Sequence, residues 1–397
     1  MGTHIIITDK FVFGGNCLAK IDGKSIFIPF SLPNERLEVE ITNEKNDYSY
    51  AKIKSILKPS PHRVKPVCPL YETCGGCNLM HADIDYQREL KTQILQDAFL
   101  QNGIELHDIK IIGGKEIGYR CRLQLSDGGF SVKSSNERIP IKHCPIAEKV
   151  IDDWLLETPV ENRPKGRCHI FGSEKVISVG GNQARRIAVA TENTPLKDSR
   201  QKKHYEGTVL STENIVEVSI LGKRIRFDAR GFFQSNVEML ECAVTEICRG
   251  LHGKNAVDMY AGCGTFSVFL SDIFETVTLV EHNRDALVFA EHNLIGKKHE
   301  SFGLSGAKWS RLPHNEQFDA AIIDPPRSGM EKEIVDFLYK SQIQDIRCLS
   351  CDAATQGRDV SRLVKAGYKI EKAFLLDFYP HTSHIESLVV LKRCERV

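Results

Sequence analysis

Apolar and polar positions alternate through the first 58 residues. The stretches HIIITDKF, SIFIPF, ERLEVEIT and YAKIKSIL each read as a short strand, separated by Gly, Asn, Asp and Pro. So many short strands in so little chain predict a small OB-like β-barrel. KPSPHRVKPVCP then reads as an inter-domain connection, and ADIDYQRELKTQILQDAFLQNG as a helix stopped at Gly103. Between there and residue 228 short strands such as KVISVGG and RRIAVAT sit in a mixed α+β pattern. From residue 229 the pattern changes. Apolar strands NAVDMY, TVTLVE, FDAAIID, RCLSC and AFLLDFY alternate with helical segments, which predicts a doubly wound α/β, Rossmann-like sheet. The expected division is 1–58, 59–228 and 229–397.

Composition adds limits. At 397 residues, with 41% hydrophobic and 26% charged residues, the chain reads as a globular protein of two or three domains. MGTHIIITDKFVFGG lacks the basic flank and apolar run of a signal peptide, and no apolar stretch is long enough to span a bilayer, so a cytoplasmic protein without membrane contact is expected. A net charge of +1 does not mark a nucleic-acid binder. Local basic runs from Lys52 to Lys65 and from Asn182 to His204 offer weak support for one. Thirteen cysteines, an odd number, argue for metal or catalytic use of thiols rather than a disulfide framework.

A doubly wound sheet binds its ligand beyond the carboxyl ends of its strands. At the first such end, Asp258 and Tyr260 lead into a turn with Gly262 and Gly264; at the next, Glu281 is placed to hold two ribose hydroxyls. No phosphate-binding lysine follows and the third glycine of the dinucleotide fingerprint is missing, which favours a nucleoside without phosphates, such as S-adenosylmethionine. Asp324 ends the third strand before two prolines, and Cys351 ends the fourth. The helix opening after Cys351 is expected to favour its thiolate through the helix dipole. Tyr379, His381, His384 and Glu386 lie between the last two strands, where a carboxylate faces the same edge as Cys351.

Those parts suit one reaction. Uracil carbon 5 is a poor nucleophile; a thiolate added at carbon 6 makes an enolate that attacks a methyl group, and a base then removes the carbon-5 proton. Over nearly its whole length the chain resembles the RNA 5-methyluridine methyltransferase family. The resemblance implies Cys351 as nucleophile, Glu386 as base, and FFQSN (232–236) as the cofactor motif, putting Gln234 beside Tyr260, Glu281 and Asp324 in S-adenosylmethionine binding. Ala261 and Ala353 depart from the family's usual Cys and Pro.

Cys68, Cys74 and Cys77 form C-x5-C-x2-C, with Cys144 as a distant fourth. Four thiolates can hold zinc or an iron–sulfur cube, and the spacing does not choose. Similarity to the iron–sulfur subgroup of the family points to a structural 4Fe-4S cluster, with zinc as the other occupant. The resemblance also implies that residues 1–58 form an RNA-binding TRAM domain and that the partner is RNA, 23S rRNA ahead of tRNA; a uridine inside folded RNA is out of reach of Cys351, so its base is expected to be extruded, and a monomer with no obligate protein partner is expected. Rival readings are weaker. A radical methylthiotransferase needs C-x3-C-x2-C, a non-catalytic RNA-binding protein has no use for Cys351 with Glu386, and a DNA cytosine methyltransferase places its cysteine after a proline on an earlier strand.

Overall fold

Strand alternation is realised first in the N-terminal sheet, where Ile26, Ile28, Leu37 and Val39 turn inward from strands whose other positions face out. The computed structural model describes residues 3–394 apart from 134, 136, 192–211 and 315. Thr3–Ile7, Phe11–Val12, Asn16–Ile21, Lys24–Pro29, Arg36–Glu44 and Tyr48–Lys58 form one six-stranded sheet. Thr3–Ile7 pairs with Arg36–Glu44, while the chain just beyond it pairs with Asn16–Ile21, Asp9 N–H donating to Leu18 O (2.7 Å) and Leu18 N–H to Lys10 O (2.8 Å). One run of chain thus serves both edges and curls the sheet around Ile6, Ala19, Ile26, Ile28, Leu37 and Val39. Asn16–Ile21 escapes a reading by alternation because its inward residues include the small Cys17 and Ala19.

The basic runs contribute less free charge than the sequence implies. Lys52 and Lys54 lie 2.9 and 3.6 Å from Glu40, and Arg63 lies 2.5 Å from the buried Glu35. The second run passes outside the described residues from position 192 onward.

The helix expected after the cysteines spans Ile84–Leu100, capped by Asp83, whose side chain accepts from Tyr86 N–H; Gly103 follows with φ +77°. Short sheets fill most of the middle segment, Arg167–Gly172 lying between Arg122–Ser126 and Ile187–Thr191, and Ile215–Ile220 between Val176–Val179 and Lys223–Asp228.

An eight-stranded sheet follows. Its order is His299–Phe302, Thr276–Val280, Asn255–Met259, Ala320–Ile323, Asp345–Ser350, Ser387–Arg393, Tyr368–Asp377 and Lys110–Gly113. The first five strands are mutually parallel and Ser387–Arg393 runs antiparallel to both neighbours. The protein is therefore of mixed α/β class. Its edge strand Lys110–Gly113 comes from the segment between the cysteines and the middle sheets. Chain order reverses beside Asn255–Met259, which has the second strand on one side and the fourth on the other. A crevice opens at such a point. Among the described residues no helix is long and apolar enough to cross a membrane.

Candidate active site

The four strand-end residues singled out by sequence each follow the last residue of a parallel strand: Tyr260 after Met259, Glu281 after Val280, Asp324 after Ile323, Cys351 after Ser350. All four therefore share the carboxyl edge of the sheet. The antiparallel strand brings Glu386 to the same edge. Ser350 pairs with Ser387, so Cys351 and Glu386 are the next residues outward on adjacent strands. Gln356 ties the two strands just beneath, donating to Cys348 O (2.9 Å) and Ser387 O (3.1 Å).

The glycine turn needs its glycines. Gly262 and Gly264 have φ +56° and +76°, and a Cβ on Gly264 would press on Ala290 at 3.0 Å. Glu281 stiffens this turn: its carboxylate accepts from Gly262 N–H (2.9 Å) and Asn283 N–H (2.6 Å), one bond per oxygen. The Gly262-bound oxygen retains a lone pair for a further donor, while His282 Nδ1 also lies 3.2 Å from the Asn283-bound oxygen. Tyr260 also has positive φ, +62°, and its hydroxyl donates to Glu331.

Negative charge is concentrated here. Asp258 is fully buried; one oxygen accepts from Ser267 Oγ at 2.5 Å and the other has no hydrogen-bond partner. Burial, then the nearby Asp324 and Glu281, push it up to about 7. Burial also pushes Asp324 up to about 7. Such a cradle attracts a cationic ligand, and the sulfonium and ammonium of S-adenosylmethionine are cations.

Cys351 differs from expectation. Its thiol is pushed up to about 11 by burial and by the charges of Glu386 and Asp324, while Arg327 opposes them and hydrogen-bonds the sulfur. The helix Ala353–Lys365 does begin beside it, but Asp352 caps that helix by accepting from Thr355 N–H at 2.9 Å. A carboxylate therefore already occupies the positive end of the dipole, and the expected thiolate stabilisation is outweighed. Glu386 is held well above the usual carboxylate range by burial and by Asp324, against Arg327. Arg327 was not singled out from the sequence; its position directly after Asp324-Pro325-Pro326 was the available signal.

Gln234 lies just before the helix Val237–Cys248, next to Phe233, which stacks on Phe227 with centroids 4.0 Å apart. Tyr379 Oη lies 3.5 Å from Gln234 Oε1. Burial first, then Glu386, raises the Tyr379 hydroxyl, so this ring bridges the FFQSN segment and the carboxylate. Asn236 fastens the same segment, accepting from Met239 N–H and donating to Phe378 O at 3.0 Å.

The cysteine group is separate from this edge. Cys68, Cys77 and Cys144 pack around Met80, Tyr119 and Ile146, and Cys74 pairs with Val132. Burial and neighbouring thiols raise Cys77 to about 12, Cys144 to about 11, and Cys74 in the same direction, with Arg120 opposing in each case. Burial thus holds Cys74, Cys77 and Cys144 toward the neutral thiol. As placed, no three His, Cys, Asp or Glu side chains among the described residues form a site for a single metal ion.

The chain is similar along its length to known RNA methyltransferases. Residues 308–394, which hold Asp324, Cys351 and Glu386, match the family model described as tRNA (uracil-5-)-methyltransferase. A Treponema denticola protein named as an RNA methyltransferase is 36% identical, covering 99% of this chain and all of its own. The 23S rRNA (uracil(1939)-C(5))-methyltransferase of Photorhabdus laumondii is 27% identical, with 98% and 97% of the two chains covered. The tRNA (uracil-54, C5)-methyltransferase of Pyrococcus abyssi, solved with S-adenosyl-L-homocysteine, shares the fold at a TM-score of 0.73 and 20% identity, covering 98% of this chain and 100% of that one. The chain belongs to the RNA 5-methyluridine methyltransferase family, and it is an enzyme that transfers a methyl group from S-adenosylmethionine to carbon 5 of a uridine in RNA.

Proposed function

We propose that the substrate is 23S rRNA, with Cys351 as the nucleophile and Glu386 as the base. The observation that carries the assignment of roles is the pairing of Ser350 with Ser387, which presents Cys351 and Glu386 side by side at the crevice. S-adenosylmethionine supplies the methyl group. The Cys351 thiol gives up its proton to solvent water and the thiolate bonds carbon 6 of the uracil; the electrons moved to carbon 5 take the methyl as its bond to the sulfonium breaks, leaving S-adenosylhomocysteine. Glu386, which acts in its ionised form, then receives the carbon-5 proton, and the electrons of that C–H bond re-form the ring double bond as the C–S bond breaks. Arg327, on the sulfur, favours the thiolate that must form. Glu281, Asp324, Gln234 and Tyr260 hold the methyl donor in this reading.

The choice of 23S rRNA follows the names of the curated relatives that match along the length of the chain. Residues 1–58 act as a TRAM-type RNA-binding barrel, 59–228 as the middle domain and 229–397 as the Rossmann-like methyltransferase domain of a monomeric cytoplasmic enzyme. Cys68, Cys74, Cys77 and Cys144 would hold a 4Fe-4S cluster with a structural role, since the methyl transfer needs no electron. Glu386→Gln is expected to trap a denaturation-resistant RNA–protein adduct that Cys351→Ala does not form. Methylation by Cys351→Ala would overturn the assignment. Mapping 5-methyluridine in ribosomal and transfer RNA of a deletion strain tests the substrate.

A further inference from the structure

The chain between Phe378 and Ile385 delivers Glu386 to the sheet edge, and it is held from outside by residues 78–91. Asn78 makes the most bonds to it. Its side-chain oxygen accepts from Ser383 N–H at 2.8 Å, and its amide nitrogen donates to Ser383 Oγ at 2.9 Å. The backbone N–H groups of Asn78 and Leu79 both donate to His381 O, at 3.2 and 3.0 Å. The same amide nitrogen reaches Gly14 O, in the N-terminal sheet, at 3.4 Å. Gln87 adds a bond from His381 N–H (2.7 Å).

We propose that Asn78 is a positioning residue for the proton-removal step, resting on the reading of Glu386 as the base. It follows Cys77 directly, so one side chain joins the cysteine loop, the Gly14–Gly15 turn and the loop that carries the base. A left-handed backbone lets that turn approach: Gly15 has φ +83°, and a Cβ there would overlap the Asn78 amide and Ser383 Oγ. The joint can therefore be disturbed from either side without touching Cys351, Glu386 or the cofactor crevice.

The step that depends on it is specific. Carbon–sulfur bond formation and methyl transfer need Cys351 and the methyl donor; only the later loss of the carbon-5 proton needs Glu386. A loosened 378–385 loop should slow release more than attack. The experiment is single turnover of full-length enzyme with total RNA from cells lacking it and labelled S-adenosylmethionine, following methylated adduct on denaturing gels. Asn78→Ala and Gly15→Ala are each expected to accumulate methylated adduct, with release slowed roughly tenfold or more, on the scale that small misplacement costs, and the KM for S-adenosylmethionine unchanged. Asn78→Asp keeps the acceptor for Ser383 N–H and should recover part of the release rate. Adduct trapping by Glu386→Gln but by neither joint variant overturns the inference alone. If attack and release fall together in both joint variants, the role is merely structural and the inference also fails. If Glu386→Gln itself traps nothing, the assignment of the base falls with it.

Discussion

Cys351 and Glu386 extend a matched cross-strand pair. Ser350 faces Ser387 in an antiparallel ladder, and Cys351 and Glu386 are the next residues outward. Directly opposed residues in such a ladder have Cβ atoms roughly 4.5–5.5 Å apart. The burial that makes this an effective site also penalises charge. The thiol and the carboxyl both move toward neutrality, and Arg327 is the cation that counters it for both. The resting site holds less charge than its residue types suggest.

That balance predicts the reactivity of Cys351. With its thiol at about 11, alkylation by iodoacetamide, followed at the Cys351 peptide by mass spectrometry, should rise about tenfold per pH unit from pH 7 to 10, because only the thiolate reacts. Arg327→Gln removes the opposing cation and should slow alkylation at pH 8. Asp324→Asn removes a negative charge and should speed it. A rate independent of pH above 7 would show a preformed thiolate, contrary to this electrostatic reading.

Cofactor affinity should fall in acid. Asp258 and Asp324 both lie at about 7, so they protonate as pH drops from 8 to 6 and the crevice loses negative charge. Titration calorimetry is expected to show weaker S-adenosylmethionine binding at pH 6 than at pH 8, and a smaller change for S-adenosylhomocysteine, which lacks the sulfonium charge. Glu281→Gln exchanges one acceptor for a donor facing the backbone N–H groups of the glycine turn. A loss of about 2 kcal/mol, or roughly thirtyfold in Kd, is the expected scale for a buried polar group left unsatisfied. Equal affinities across the pH range would remove the carboxylates from cofactor binding.

Much of this site was legible because a parallel sheet converts chain position into spatial position. Once Met259, Val280, Ile323 and Ser350 are strand ends, the residue after each must lie on one edge. The antiparallel return made Glu386 readable in the same way. The ionisation of Cys351 was not, since it depends on burial and on charges that the loops beside two other strands bring in, Glu386 from one and Asp324 with Arg327 from the other. Nor could alternation show that Lys110–Gly113 would add an edge strand to a sheet otherwise built from residues beyond 254. The tether at Asn78 was equally hidden, because its bonds to Ser383 span 305 positions.

The cysteine group makes a prediction with a visible readout. If the four thiols hold a 4Fe-4S cluster, protein purified without oxygen should be brown, absorb near ~400 nm and contain iron and sulfide. Cys144→Ser should lose the colour even though Cys144 is 67 positions from Cys77 in sequence. A colourless protein with stoichiometric zinc would replace the cluster by a single ion.

Stability should hinge on one buried ion pair behind the loop between Phe378 and Ile385. Lys91 Nζ lies 2.7 Å from Asp377 Oδ1 with both side chains out of solvent, and it donates also to Tyr379 O at 3.0 Å. Arg88 reaches the other oxygen of Asp377 at 3.2 Å. Burial lowers the Lys91 ammonium, and the attraction of Asp377 opposes that. Lys91→Met would leave Asp377 with a cation on one side only and Tyr379 O without its donor. Breaking a buried pair by removing one partner costs roughly 3–5 kcal/mol, and the remaining Arg88 should hold the loss toward the lower end. Lys91→Met, Asp377→Asn doubles should recover part of it, because no uncompensated carboxylate remains. Denaturant unfolding of the two single variants and the double measures the coupling directly. Additive losses would mean that Lys91 and Asp377 act independently and that the loop is held by its other tethers.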